Sequence, residues 1–231
     1  MHSATSHRPT GNKTRPRLRL TALTLGLSLI AGSAAAQDAK PVDSFEPARS
    51  HALEILSQIC MEEITNAQSM AQAVGNWRFL KEIAEDTFAE QRAPYMNVIG
   101  MIYDMGDDCT AITSVPSAFG LPKGDRVAAA EWFHRAADQG YPPAMSNYVQ
   151  YLIIGEAVPQ DFDRAEGYAE AAIFQGGYGT MAVRLAELIM EGKYIPRNRD
   201  EARRMLDIAR ETGTPDSTLN AAEAEFRQTF D

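Results

Sequence analysis

Apolar and small residues recur along this chain at helical spacing, and the helices they predict recur in turn. Ala165, Tyr168, Ala169 and Ala172 fall at i, i+3, i+4 and i+7, one face of a helix. Asp161 stands ahead of them as an N-cap, where a side-chain oxygen takes up free backbone N–H groups. Gly155 and Pro159 make the turn before it, and Gly176 stands at the expected left-handed end, as Gly213 does one unit later. Gly155, Pro159, Asp161, Ala165, Tyr168, Ala172 and Gly176 return 37 positions later as Gly192, Pro196, Asn198, Ala202, Met205, Ala209 and Gly213. Thirty-six positions earlier, the last five correspond to Asp125, Ala129, Trp132, Ala136 and Gly140. A fixed period of this size predicts an all-α array of stacked helix pairs. Each pair is too small to bury its own apolar face and must stack on its neighbours.

The flanks lack the full pattern. His51, Leu53, Ile55, Leu56, Ile59, Cys60, Ile64 and Met70 form an apolar stripe that predicts a helix from Ser50 to about Ala73. Gly75-Asn76 is expected to break it, and Phe79, Leu80, Ile83, Ala84 and Phe88 mark a second helix from about Trp77 to Glu90. Residues 48–92 are therefore expected to form an N-terminal capping helix pair. Residues 93–213 hold three repeats (93–142, 143–179 and 180–213), and residues 214–231 form a C-terminal capping helix starting at Pro215-Asp216-Ser217. Ile99, Tyr103 and Gly106 correspond to Tyr148, Leu152 and Gly155 at a shift of 49, against 36 for the second half of the repeat. Thirteen extra residues therefore lie between Gly106 and Asp125. Such an insertion is either a loop on the working face or a packing loop pinned by its cysteine.

The amino terminus changes the picture of compartment. Arg8, Lys13, Arg15, Arg17 and Arg19 precede an apolar run from Leu20 to Ile30, and Ala34-Ala35-Ala36 precedes Gln37. This is the three-part layout of an export signal, with cleavage expected after Ala36 and residues 37–47 expected as a flexible lead-in. The alternative, a retained anchor, would have only the uncharged run from Leu20 to Ala36 with which to span a bilayer. The leader holds five of the 22 Lys and Arg and none of the 31 Asp and Glu. The remaining 17 basic and 31 acidic residues give the exported chain a net charge of −14. That balance disfavours nucleic acid and anionic membrane as partners, and no stable membrane insertion is expected after cleavage. The expected location is the periplasm or the medium.

Candidate chemistry is sparse. Cys60 and Cys109 are the two cysteines, and an oxidising compartment predicts a disulfide between them. A Cys–His nucleophile using His51 or His134 is the alternative, although neither histidine sits in a known catalytic motif. Asp104, Asp107 and Asp108 cluster beside Gly106 without the alternating twelve-residue loop that calcium needs. Nucleophile elbow, phosphate loop and dinucleotide fingerprint are all missing from the sequence, so no catalytic residue, metal or cofactor is expected. Gly176-Gly177-Tyr178-Gly179 follows a helix and reads as the turn between repeats.

Several residues carry a family resemblance. Ile99-Gly100, Tyr103 and Gly106 match the opening of the Sel-one-like repeat, a relative of the tetratricopeptide repeat. Val158-Pro159-Gln160-Asp161 matches its loop, and Ala129, Trp132-Phe133, Ala136-Ala137 and Gly140 match its second helix. The chain departs at Val149 and Ala186, where the family prefers Gly, and at Met205, where it prefers an aromatic residue. The resemblance implies an α-solenoid, a right-handed superhelix of helix pairs that binds other proteins. Exported members resemble adaptors in signalling, envelope assembly or exopolysaccharide control. A low-activity hydrolase of the penicillin-binding type and a structural envelope spacer are the alternatives. In such superhelices the first helix of each pair lines the concave face. The residues expected to point away from the core there are Met101, Asn147, Gln150, Tyr151, Arg184 and Glu187, with Tyr151 and Arg184 as the expected hot spots.

Overall fold

The computed structural model describes residues 39–230, so the expected leader and its cleavage after Ala36 lie outside the described residues. Ten α-helices follow one another, with no strand among the described residues. They are α1 (Ala48–Cys60), α2 (Ala67–Glu85), α3 (Ala93–Met105), α4 (Thr110–Ser114), α5 (Arg126–Ala137), α6 (Pro142–Ile154), α7 (Phe162–Glu170), α8 (Thr180–Glu191), α9 (Arg199–Glu211) and α10 (Asp216–Phe230). Helix α3 packs on α5, α6 on α7 and α8 on α9, and α5 stacks on α6. One continuous apolar core runs from Ala39 to Phe226. The architecture is an α-solenoid.

The second helices start where the caps predict. Asp125 accepts from the N–H groups of Val127 and Ala128, Asp161 from Arg164, and Asn198 from Glu201. Gly155 and Gly192 end the first helices α6 and α8 in left-handed geometry, at φ 75° and 72°. Gly213 is left-handed as expected, but Gly176 is not: its φ is −81°. Helix α7 widens into a π turn over Ala171–Gln175, in which the Gly176 N–H reaches the Ala171 carbonyl. The left-handed residue moves on to Gly177. Gly176 is needed for another reason, since a Cβ there would lie 2.5 Å from Cγ of Pro142.

The amino-terminal region departs from expectation twice. The break between α1 and α2 lies at Met61–Asn66, and α2 runs straight through Gly75-Asn76. Asn66 starts α2 with a reciprocal cap: its side chain accepts from Gln68 and Ser69, and the Ser69 hydroxyl accepts from the Asn66 N–H. Gly75 sits on open helix surface with nothing near its Cβ position, where a glycine lowers helix stability without breaking the helix. The second departure is the lead-in, which is ordered from Ala39. Lys40 donates its N–H to the Gly140 carbonyl and Val42 to that of Gly176, each at 3.0 Å. Ala39 donates to Oε1 of Gln175, and Phe45 is buried edge-on against Tyr141 with ring centroids 4.8 Å apart. The segment is a strap across the carboxyl ends of α5 and α7, because its backbone N–H groups find carbonyls that those helix ends leave unsatisfied.

The insertion folds against α1. Cys60 at the end of α1 is bonded to Cys109, and both are buried. The hydroxyl of Thr110 donates to the carbonyls of Ile59 and Glu62, and the Trp77 indole donates to the Gly120 carbonyl. Val115 and Leu121 are buried, whereas Phe119 projects with about half its surface exposed.

Candidate partner-binding face

The first helices form a layer of their own. Helix α3 touches α6, α6 touches α8, and α8 touches α10, whereas α5 and α7 make no comparable contact. The layer whose members approach each other is the inner one. Its open surface carries side chains that link across repeats. Asn147 of α6 donates to Oδ1 of Asn97 in α3 at 3.0 Å, and Asn97 in turn lies 3.5 Å from the sulfur of half-buried Met101. Arg184 of α8 reaches Oε1 of Gln150 in α6 with Nε at 3.0 Å and Nη2 at 2.8 Å, and Nη1 holds Glu187 at 2.7 Å.

Met101, Asn147, Gln150, Arg184 and Glu187 therefore lie on this layer's surface, partly or fully exposed. Tyr151 does not: it is buried, at 4 % exposure. Position 151 turns its ring towards α5, 5.8 Å from Phe133, because the apolar stripe of α6 is wider than one helical face. Its hydroxyl donates to Asp104, and Arg126 covers its ring at 5.4 Å. Burial first, and the Asp104 hydrogen bond second, hold the phenol well above its ordinary pKa, so it stays a neutral donor. The hydrogen bond to Tyr151 and the carboxylates Asp104 and Glu156 raise Arg126 in turn. Glu156 pairs with Arg126 at 3.0 Å and accepts from the Tyr194 hydroxyl at 3.2 Å. A polar chain from Asp104 to Tyr194 thus ties the three repeats together along one rim.

Two clefts open on this surface. One is lined by Asp104, Arg126, Asn147, Gln150, Ile154 and the rings of Phe133 and Tyr151. The other, between α8 and α10, is lined by Arg184, Glu187, Leu188, Glu191 and Glu225. The Gln150–Arg184 bond bridges them. Sequence reasoning missed Asn97, Arg126, Glu191 and Glu225 as members of this face. A single Asn inside the apolar run Ala93–Ile102 was the one available signal.

The alternative chemistries find no assembly here. Neither cysteine is a free thiol, because each is held in the disulfide. His51 pairs with the Tyr95 hydroxyl at 3.0 Å. His134 stacks on Tyr148 at 4.7 Å, with Nε2 beside Arg164 and Asp138. Asp104, one of the three clustered carboxylates, is committed to Tyr151. Among the described residues no group of three or more His, Cys, Asp or Glu is placed to hold a metal ion. Nor is any helix among them long and apolar enough to cross a membrane.

Three segments of the chain, residues 117–141, 144–176 and 181–211, match the Sel1 repeat family. Over these three segments the chain is similar to the Sel1 repeat. The first match covers the end of the insertion and α5 but not α3, since the insertion parts the two halves of that unit. A crystal structure of a Sel1 repeat protein from Oxalobacter formigenes is similar, with a TM-score of 0.47 and 19 % identity over 79 % of this chain. The similarity covers 59 % of that protein's length. No curated protein matches the chain. Sel1 repeats generally mediate protein–protein interaction, and proteins built from them are typically non-enzymatic adaptors.

Proposed function

We propose that this protein is an exported adaptor whose first-helix layer receives a segment of a partner protein. The observation that carries the reading is the cross-repeat array on that layer. Two amides of α6 and an arginine of α8 sit on its open surface beside Ile154 and Leu188, Asn147 anchored to the buried Asn97 of α3 and Gln150 bonded to Arg184. Side chains already fixed by their neighbours lose little entropy when a partner arrives, which favours binding. In this reading α1 and α2 close one end of the array and α10 the other, as repeat arrays require. The periplasm is the proposed location, supported by the three-part leader and by a disulfide that an oxidising compartment sustains.

A photo-reactive residue introduced at Gln150 or Glu187 tests the face directly in the native compartment. The reading expects one partner species to be captured at both positions and lost in an Arg184→Ala background whose melting temperature is unchanged. Capture from Phe119 in the insertion, with none from the two helix positions, would move the site to the insertion.

A further inference from the structure

The surface of the first-helix layer is polarised along the array. At the α3–α6 end it is charge-balanced and partly apolar, with Met101, Ile154, the amides of Asn147 and Gln150, and the opposed charges of Asp104 and Arg126. At the α8–α10 end it is acidic, with Glu187, Glu191 and Glu225 around Leu188. The cations of the face are committed internally. Arg184 is held by Gln150 and Glu187, and Arg126 by Glu156 and the Tyr151–Asp104 pair. Glu191 and Glu225 make no ion pair among the described residues, and both are exposed. A ligand meeting this surface therefore finds a partly apolar, amide-lined cleft at one end and an excess of carboxylates at the other, where Glu187, Glu191 and Glu225 outnumber Arg184 and the Lys193 near Glu191. Carboxylates gathered on one wall attract a cation during encounter and reject an anionic partner, since like charges across an interface are costly.

Resting on the docking reading above, we propose that the occupant is a cationic amphipathic segment of a partner protein. Its apolar side chains lie over Met101 and Ile154, and its Lys or Arg side chains meet Glu187, Glu191 and Glu225. A helix or an extended strand presenting apolar residues on one side and basic residues towards one end satisfies both halves of the groove. Arg in the partner would grip a single carboxylate with two parallel N–H groups, a bidentate geometry that Lys lacks.

Synthetic peptides sharing one apolar face and bearing Lys, Gln or Glu on the other, measured by fluorescence anisotropy, test this chemistry. The expected result is at least a tenfold preference for the Lys peptide over the Glu peptide, diminishing as salt shortens the screening length. The triple variant Glu187→Gln/Glu191→Gln/Glu225→Gln is expected to abolish that preference. A control with equal charge change elsewhere, Glu63→Gln/Glu82→Gln/Asp200→Asn, is expected to keep it, with the fold of both checked by circular dichroism. Equal loss in both variants would show a bulk-charge effect and overturn the proposal. Equal binding of all three peptides, weakened by Arg184→Ala, would overturn the cationic chemistry and leave the docking face standing. Binding of no peptide would also overturn it, and photo-capture at Gln150 and Glu187 then decides separately whether the face docks anything.

Discussion

At the scale of single residues, the repeat keeps its core by exchanging volume between facing positions. Gly100 admits Phe133, since a Cβ at Gly100 would lie 2.6 Å from Cε1 of that ring. The corresponding pair in the next repeat is Val149 with Ala169, and in the third it is Ala186 with Leu206, all fully buried. The departures from the family pattern at Val149 and Ala186 are thus matched by smaller second-helix residues than Phe133. Gly100→Ala is expected to cost about 1–3 kcal/mol through overpacking, and Phe133→Leu in the same chain is expected to recover part of it. A thermal-melt double-mutant cycle reads this, and additive losses would contradict the pairing. Trp132 is buried, between Lys81 and Arg135 at 4.9 and 4.1 Å from its ring. Trp132→Ala is accordingly expected to cost about 3–5 kcal/mol. A melt within a degree or two of the parent would show that the neighbouring helices collapse to fill the site.

At the scale of elements, the caps and apolar stripes placed the repeat helices, because each of those signals acts within one turn. The strap was not legible, since nothing local distinguishes Ala39–Phe45 from a linker. Its order comes from carbonyls of Gly140 and Gly176, roughly a hundred residues and more away in sequence. Amide exchange at Lys40 and Val42 is expected to be slow, and exchange at the rate of a free peptide would refute the strap. The α1–α2 boundary was misplaced because Gly75 weighed more than the Asn66 cap. Helix α10 is held to α9 by Glu223, which meets Arg203 at 2.9 Å and Arg210 at 2.6 Å. Burial raises the Glu223 carboxyl, and the two arginines reverse that and hold it below its ordinary value. A carboxylate depressed in the folded state contributes stability that is present above its unfolded pKa and is lost as pH falls through the folded one. Stability is therefore expected to fall below about pH 4, and less so in Glu223→Gln. A pH titration of the melting temperature with the same slope in both chains would contradict this.

At the scale of the whole molecule, periodicity revealed the architecture because a stacked array repeats its core. The docking face was only half legible. The 3.6-residue rule picked surface positions on α6 and α8 but could not see that Tyr151 turns inward to Phe133. It also gave no access to Glu225, which reaches the face from α10. The disulfide closes the amino-terminal end by joining α1 to the insertion across 49 residues of sequence. Cys60→Ala/Cys109→Ala is expected to lose about 2–4 kcal/mol, seen as a lower denaturant midpoint. An unchanged midpoint would assign the insertion's anchoring to Thr110 and Trp77 instead. The central claim is that the first-helix layer is where a partner lands. Hydrogen exchange on the photo-captured partner's complex, reassembled without cross-link, tests it most directly. The account predicts new protection in α6 and α8, with α7 and α9 unaffected. Protection confined to residues 106–124, with α6 and α8 exchanging as in the free protein, would contradict it.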